Sequence, residues 1–316
     1  IVVTPTDDIQ AGTITVDVEA GVASDVAGNA NTAATQFSQA FDTQAPSLSI
    51  SSDTTGTATG DVTYSFSFSE NVSGFSADHI TVAGGTKQDG SFSGSGDAYS
   101  IVVTPTEGDQ GNIIVDVDAG VATDAAGNTN STASQHSSQI FDKQAPSLSI
   151  TSDTTGTATG DVTYTFSFSE DVSGFSSKDI TISGGTKKFF FGSGEDYVLI
   201  VSPTPETTGT ITVDVNANVA KDQVGYANTA ATQFSQAFDT KAPSVSISSD
   251  TTGTATGDVT FTFSFSGDVS GFSADHITVT GGSKQDGSFS GSGDTYSIVV
   301  TPTDDIQAGT ITVDVE

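Results

Sequence analysis

The stretch Val62-Thr-Tyr-Ser-Phe-Ser-Phe-Ser-Glu70 decides the class of fold. Its large apolar side chains, Val62, Tyr64, Phe66 and Phe68, occupy every second position, and Thr or Ser fills the positions between them. Successive side chains of a β-strand point to opposite faces, so this stretch has one apolar face and one hydroxylated face. The pattern predicts a β-strand that lies half-buried against a core.

The sequence around this strand recurs along the chain with a period of about one hundred residues. Ile1-Val-Val-Thr-Pro-Thr6 returns at 101–106 and 298–303, with a weaker copy at 199–204. Such a period is too long for a solenoid coil and fits one small globular domain per repeat. Each boundary is placed at the Asp before an Ala-Pro pair, because proline interrupts strand pairing. The predicted domains are the C-terminal part of a repeat at 1–41, complete repeats at 42–141 and 142–238, and a repeat without its last strand at 239–316.

Each complete repeat contains about seven short alternating segments, separated by turns rich in Gly or Asp. In the first complete repeat the predicted strands lie near residues 47–51, 62–70, 79–82, 91–93, 99–104, 113–118 and 133–141. This pattern predicts an all-β protein made of tandem immunoglobulin-like β-sandwich domains in an elongated array. The chain has no Cys and no Trp, so phenylalanines must fill the core in place of the antibody hallmarks. Another seven-stranded sandwich topology remains open.

The composition is strongly acidic, with 39 Asp and Glu against eight Lys and a net charge of −31. Such a field repels nucleic acids and anionic membranes, and it attracts metal cations. No apolar run reaches the length of a membrane span. We therefore expect neither a nucleic-acid partner nor direct insertion into a membrane.

Catalytic residues are not indicated by the sequence. The three histidines are His79, His136 and His276, the chain has no Cys, and no Ser lies in a nucleophile-elbow context. Pairs of carboxylates are abundant, but in a chain this acidic they carry little information. The sequence predicts a protein that is not an enzyme.

Three acidic features recur where the predicted domains meet. They are the linker Asp before Ala-Pro, the acidic end of the Phe-rich strand, and an Asp-x-x-Gly-Asn loop. The residues concerned are Asp42, Asp142 and Asp239 in the linkers, Glu70, Glu170 and Asp268 at the strand ends, and Asp25, Asn29, Asp124, Asn128 and Asp222 in the loops. Two copies depart from the pattern, because Tyr226 stands in place of the loop Asn and Gly267 in place of the strand-end Glu, with Asp268 beside it.

An immunoglobulin-like topology brings these three features to one end of a domain. Asp42, Glu70, Asp124 and Asn128 are then expected to converge. Oxygen ligands without Cys suit a hard cation, and calcium is favoured over magnesium because it accepts six to eight oxygens in flexible loops. The alternative is that these residues are ordinary turn formers, with Asp42 capping a turn before proline.

These motifs resemble the bacterial Ig-like repeats of giant surface adhesins that are exported by type I secretion, the RTX-adhesin and Bap-like proteins. The stretches that carry the resemblance are Asp42-Thr-Gln-Ala-Pro46, Phe68-Ser-Glu-Asn-Val-Ser-Gly-Phe75 with Asp78, and Val121-Ala-Thr-Asp-Ala-Ala-Gly-Asn128. The resemblance implies a secreted protein of the bacterial cell surface. In it the repeats form an extender that supports adhesion or biofilm formation, and Ca²⁺ at the linkers stiffens contacts between neighbouring repeats.

Two other functions remain open at this stage. The repeats could form a subunit of an extracellular filament or surface layer, with lateral or end-to-end self-association. They could also form a carbohydrate- or ice-binding module, although the lack of Trp and the short Thr-rich turns argue against this. Residues Phe189 to Phe191 replace polar residues of the neighbouring repeat, and they indicate either a contact surface or a local adjustment of the core.

Overall fold

A computed structural model of the chain describes residues 1–131, 137–304 and 308–316. In these residues the protein consists of β-strands and three 3-10 helices of three residues each, so the predicted all-β fold is confirmed. None of the described helices is long and apolar enough to cross a membrane. The first partial repeat contributes an antiparallel pair of strands, β1 (Gly12–Val16) and β2 (Phe37–Phe41).

The first complete repeat has seven strands in two sheets. They are β3 (Leu48–Ser52), β4 (Val62–Val72), β5 (Ile80–Ala83), β6 (Gly85–Lys87), β7 (Ser93–Pro105), β8 (Gln110–Val117) and β9 (Ser137–Asp142), with a 3-10 helix at Ala77–His79. One sheet has the order β3-β4-β7-β6 and the other the order β5-β8-β9. Labelled from A to G in chain order, these are the ABED and CFG sheets of a constant-type immunoglobulin domain. The topology that the sequence left open is thereby settled.

The second complete repeat has the same plan with one strand fewer. Its strands are β10 (Leu148–Ser152), β11 (Val162–Val172), β12 (Ile180–Ser183), β13 (Gly185–Pro203), β14 (Thr208–Val215) and β15 (Phe234–Asp239), with a 3-10 helix at Ser177–Asp179. The sheets have the orders β10-β11-β13 and β12-β14-β15. The long strand β13 takes the place of both β6 and β7, and a Cβ on Gly185 would lie 2.7 Å from the carbonyl oxygen of Ser202. The strand therefore folds back on itself as a hairpin.

The last, partial repeat follows the first complete one closely. Its strands are β16 (Val245–Ser249), β17 (Val259–Phe265), β18 (Ile277–Thr280), β19 (Gly282–Lys284), β20 (Ser290–Ser292), β21 (Thr295–Pro302) and β22 (Thr312–Val315), with a 3-10 helix at Ala274–His276. One sheet has the order β16-β17-β21-β19, with β20 also paired to β21, and the other contains β18 and β22.

Aromatic residues fill the core of each domain, as the absence of Cys and Trp predicts. In the first complete repeat Tyr64 and Phe66 are fully buried on β4. Phe75 packs edge-on against Phe68 and against Tyr99, with 5.2 Å between ring centroids in both pairs. Such pairs contribute about 0.5–1.5 kcal/mol each beyond the burial of their surface. Each complete repeat therefore has an apolar core of its own.

Several strand boundaries differ from the predictions, and β6 lies in a segment where no strand was predicted. Strand β4 continues to Val72, because Val72 pairs with Gly96 beyond a β-bulge that the alternation does not reveal. Ser91 and Phe92, which were predicted to lie in a strand, precede β7. The predicted last strand at 133–141 begins at Ser137 in the described part of the chain, whereas residues 132–136, with His136, lie outside the described residues.

The structure separates the roles of the three consecutive phenylalanines. Phe190 packs against the core and stacks on Tyr197 at a centroid distance of 5.7 Å, as Phe92 does on Tyr99. Phe189 and Phe191 are 66% and 56% exposed. Phe190 is therefore the ordinary core residue of this hairpin, and the two phenylalanines that flank it form an exposed apolar pair.

Candidate metal centre

The linker aspartates form turns, as the simpler interpretation of the sequence requires. One oxygen of Asp42 accepts the backbone N–H of Gln44 at 3.0 Å, and Asp142 and Asp239 make the same bond two residues ahead. This bond uses a single carboxylate oxygen, and an ionised carboxylate has about four lone-pair sites. The role in the turn is therefore compatible with a second role as a ligand.

The glutamates at the ends of the Phe-rich strands each have one carboxylate oxygen without a hydrogen bond from the described residues. Glu70 and Glu170 follow the point at which β4 and β11 lose regular pairing, and both are only partly exposed. The Oε1 atom of each is buried and has no hydrogen-bond partner among the described residues. Buried polar atoms are nearly always paired, so two orphaned oxygens at equivalent positions require an explanation.

The Asp-x-x-Gly-Asn loop folds around its own aspartate. Oδ1 of Asp124 accepts backbone N–H groups from Ala126, Gly127 and Asn128 at 2.7–2.9 Å. Gly127 has a φ of +98°, a conformation that residues with a side chain rarely adopt. The loop thus presents a rigid carboxylate, and Asp124 is only 6% exposed.

The three features meet at one end of each complete domain. Carboxylate oxygens of Asp42, Glu70 and Asp124 lie within 4.8 Å of one another, and so do those of Asp142, Glu170 and Asp222. We call these groups the first and the second acidic cluster. The chain segments in each are the linker, the end of the second strand of the sandwich and the loop before its last strand.

Burial and mutual repulsion shift the titration of the clustered acids. Burial raises the pKa of Glu170 to about 7, and the charges of Asp142 and Asp222 act in the same direction. The pKa of Glu70 is also raised, first by burial and then by its acidic neighbours. Burial acts to raise the pKa of Asp124 as well, but hydrogen bonds from Asn128 and the loop backbone outweigh it, so that this pKa is lowered. A cation is the usual counter-charge for such a group.

The two clusters differ at the last residue of the loop. The Nδ2 atom of Asn128 donates to Oδ2 of Asp124 at 2.8 Å and to the carbonyl oxygen of Asp42 at 3.4 Å. Asn128 therefore contacts the carboxylate of Asp124 through its amide nitrogen. The prediction that Asn128 provides an oxygen ligand to a cation stays a prediction. Tyr226 makes no such bond, and Oδ2 of Asp222 is buried without a hydrogen-bond partner among the described residues.

Besides Asn128, which contacts the first cluster, four of the predicted site residues lie outside the two clusters. Asn29 bonds Asp25 at 2.9 Å, so their loop has the same local fold, but the described residues bring no Glu to it. Among those residues Asp239 and Asp268 do not form a cluster either. Asp268 lies against Gly293, as Asp171 lies against Gly194, so it matches the residue after the missing Glu rather than the Glu itself.

Two groups of residues that organise the domain ends were missed by the sequence analysis. Oδ1 of the buried Asn130 accepts the N–H groups of Val121 and Ala122, and the asparagine thereby closes the Asp-x-x-Gly-Asn loop. The buried Gln139 donates to the carbonyl oxygens of Gly56 and Ile140 and accepts a bond from Ser52. The sequence contains a signal for both, because Asn and Gln recur at these positions in each of the three copies that include them. A buried amide nevertheless has no distinctive local pattern.

The chain belongs to the bacterial Ig-like domain family, whose model matches residues 42–140, 142–237 and 239–316. No curated protein matches the sequence. Among solved structures, the chain is similar to invasin, a bacterial integrin-binding protein, at 14% identity and a TM-score of 0.30 over 81% of this chain and 54% of that one. It is also similar to an S-layer protein, at 13% identity and a TM-score of 0.20 over 86% and 53% of the two chains. The chain thus spans about half the length of each.

Proposed function

We propose that this chain is a spacer segment of an extracellular bacterial surface protein that supports adhesion or biofilm formation, and that calcium bound between consecutive Ig-like repeats stiffens it. Membership of the bacterial Ig-like family and a net charge of −31, which suits a calcium-rich exterior, support this proposal.

The observation that carries the proposal is the double attachment of Asp142. Its backbone belongs to β9 of the preceding repeat, where its N–H donates to the carbonyl oxygen of Ala58 at 2.9 Å. Its carboxylate belongs to the second acidic cluster, which also contains Glu170 and Asp222 of the following repeat. A cation held by this carboxylate therefore restrains two domains, whereas a cation within one domain would only stabilise that domain.

The residues present fit calcium. The second acidic cluster offers two buried oxygens, on Glu170 and Asp222, that have no hydrogen-bond partner in the described part of the chain, and its oxygens lie close enough to share one ion. All the candidate ligands are oxygens, and backbone carbonyls and water would complete a shell of six to eight. Magnesium is less suited, because it requires near-ideal octahedral geometry and retains several waters. When bound, the ion would supply counter-charge and a bridge between domains, and no chemical reaction is involved.

The proposal is tested by calorimetric titration of the whole chain with calcium after chelation, followed by small-angle scattering. We expect two binding events per chain, one for each acidic cluster, and a narrower range of interdomain angles with calcium. The variant Glu170→Gln should lose one event, whereas Glu19→Gln removes the same charge at an exposed position and should lose none. Absence of binding at millimolar calcium would refute the metal site. Binding without a change in scattering would refute the stiffening.

A second candidate function is that of a subunit in a filament or surface layer, which the exposed pair Phe189 and Phe191 favours. Exposed apolar pairs of this kind are suited to lateral contacts between chains. Scattering over a range of protein concentrations decides between the two functions. A spacer stays monomeric, whereas a filament subunit associates and loses this association in a Phe189→Ser, Phe191→Ser double variant.

A further inference from the structure

A direct hydrogen bond joins the two complete repeats. The hydroxyl of Tyr226, in the loop of the second repeat, donates to the carbonyl oxygen of Thr59 in the first repeat at 3.1 Å. The two residues are 167 positions apart in the chain. Tyr226 is the residue that replaces the loop Asn of the other copies, so a single copy-specific side chain makes this contact.

The acceptor is fixed at the end of the first repeat. Thr59 belongs to the Thr-rich turn 53–61, and its neighbour Ala58 pairs with the end of β9: the N–H of Ala58 donates to Ile140 and its carbonyl accepts from Asp142. Gln139 also bonds the turn from within the domain, through the carbonyl of Gly56. The turn is therefore tied to the last residues before the linker and presents its outer carbonyl to the next repeat.

The donor is equally fixed in the second repeat. The backbone N–H of Tyr226 donates to Oδ1 of Asp222 at 2.9 Å, so the loop that begins at Asp222 holds the base of the tyrosine side chain. At the equivalent position of the first repeat, the shorter side chain of Asn128 reaches only the loop and the linker. Its Nδ2 atom donates to the carboxylate of Asp124 and to the carbonyl oxygen of Asp42. The longer phenol passes beyond the linker to the neighbouring domain.

The linker between these repeats also has an ion pair that takes the place of a threonine contact in the other two linkers. Nζ of Lys143 forms an ion pair with Glu107 of the first repeat at 2.6 Å, and the lysine side chain is only 17% exposed. In the other two linkers the equivalent residue is threonine, Thr43 or Thr240, whose hydroxyl donates to a backbone carbonyl and accepts a backbone N–H of the preceding repeat. Both copy-specific residues, Tyr226 and Lys143, thus act at the same junction.

We propose that Tyr226 is a latch residue that docks the second repeat on the Thr-rich turn of the first and holds this junction without a cation. The partner surface is the backbone of the turn. The turn 53–61 recurs unchanged at 153–161 and 250–258, so the turn does not distinguish one junction from another. The tyrosine, which occurs in one copy of the loop, determines which junction has the latch. This inference goes beyond the proposed calcium function, because the latch acts when calcium is absent.

The test measures the distance between the two repeats in calcium-free buffer. The chain has no Cys, so Asp89→Cys and Lys178→Cys at exposed positions accept spin labels at unique sites for pulsed electron resonance. Removal of one hydroxyl in Tyr226→Phe should lower the ratio of docked to undocked molecules about fivefold, the usual effect of one hydrogen bond. The phenyl ring and the bonds of the loop backbone are retained, so the fold is kept.

The matched control is Tyr64→Phe, which also deletes one hydroxyl. The hydroxyl of Tyr64 is buried without a hydrogen-bond partner among the described residues, so its loss should leave the distances unchanged. An unchanged distribution in Tyr226→Phe, or an equal change in both variants, would overturn the latch. Neither result bears on calcium binding, which is measured separately by titration.

Discussion

Replacement of Glu170 by Gln should have opposite effects on stability with and without calcium. Without the cation, the folded protein must keep an ionised carboxylate that is partly buried beside two other acids, and this raises its pKa from 4.5 to about 7. A shift of this size corresponds to about 3 kcal/mol of destabilisation once the group is ionised. The carboxylate retains contact with solvent, so we reduce the expected effect to about 1–2 kcal/mol.

The sign depends on pH in a defined way. A raised pKa in the folded state means that the folded protein holds the proton more tightly than the unfolded chain does. The penalty is therefore absent below about pH 4.5, grows as the pH rises to about 7, and is constant above that. At pH 8 without calcium the Gln variant should be the more stable protein, and at pH 4 the two proteins should be equal.

With calcium the wild-type protein should be more stable than the Glu170→Gln variant. At a concentration one hundred times the dissociation constant, binding stabilises the wild-type repeat by about 2.7 kcal/mol. The variant lacks one ligand and gains less. Scanning calorimetry of the whole chain at pH 8 measures the melting temperature of both proteins with and without calcium. A change of 1 kcal/mol in stability shifts the melting temperature of a domain of this size by about 4–8 °C. In calcium-free buffer Glu170→Gln should raise the melting temperature of its domain, and the control Glu19→Gln should not. An unchanged melting temperature in Glu170→Gln would refute the predicted cost of the ionised carboxylate.

Other parts of the fold give further expectations, each with a denaturation midpoint as its measurement. Gln236→Ala should destabilise the second repeat by about 1–3 kcal/mol, because two backbone carbonyls and a serine lose a buried partner; an unchanged midpoint contradicts this. Lys187→Met should lower the free energy of unfolding by about 1–2 kcal/mol, because the ammonium of Lys187 bonds two carbonyls beside the 3-10 helix. The control Lys188→Met loses a surface ion pair and should lower it by less than about 1 kcal/mol. Gly194→Ala should lower the free energy of unfolding by about 1–3 kcal/mol, because the φ of Gly194 is +68° and a Cβ would lie 2.6 Å from a carboxylate oxygen. In the control Gly160→Ala the added Cβ meets open space, so its stability should be nearly unchanged.

The parts of the structure that follow from local pattern were predictable from the sequence. The alternation of residues 62–70 predicts β4, and the recurrence of acids at Asp42, Glu70 and Asp124 led to the expectation that they converge, because immunoglobulin topology fixes which loops share an end. The convergence of Asp142 with its partners follows by repetition. These inferences need only the strand order and the period of the chain.

The parts that depend on contacts between distant residues were not predictable. The extension of β4 to Val72 depends on its pairing with Gly96, and a bulge has no signature in residue alternation. The direction of the Asn128 amide depends on two oxygens, one of which lies in the linker. The bond from Tyr226 to Thr59 joins separate domains, so no local pattern could indicate it.

The presence of Tyr226 in place of Asn should also alter the calcium affinity of the proposed site in the second acidic cluster. In the first acidic cluster the amide of Asn128 occupies Oδ2 of Asp124, so a cation must compete with a hydrogen bond for that oxygen. In the second cluster the corresponding Oδ2 of Asp222 has no partner among the described residues. The second cluster therefore has one more free oxygen and a stronger uncompensated charge, and we expect it to bind calcium more tightly.

One hydrogen bond to a charged group is worth about 1.5–3 kcal/mol, so the difference in affinity between the two sites should be at least about tenfold. Calorimetric titration of the whole chain should show two separated binding steps, and Glu170→Gln should remove the tighter one. Tyr226→Asn supplies the missing amide and should bring the two steps together, whereas Tyr226→Phe should leave them apart because it adds no donor to Asp222. Two steps of equal affinity in the wild-type chain would contradict this account, since both clusters have the same three acids and the same three backbone bonds to Oδ1 of the loop aspartate.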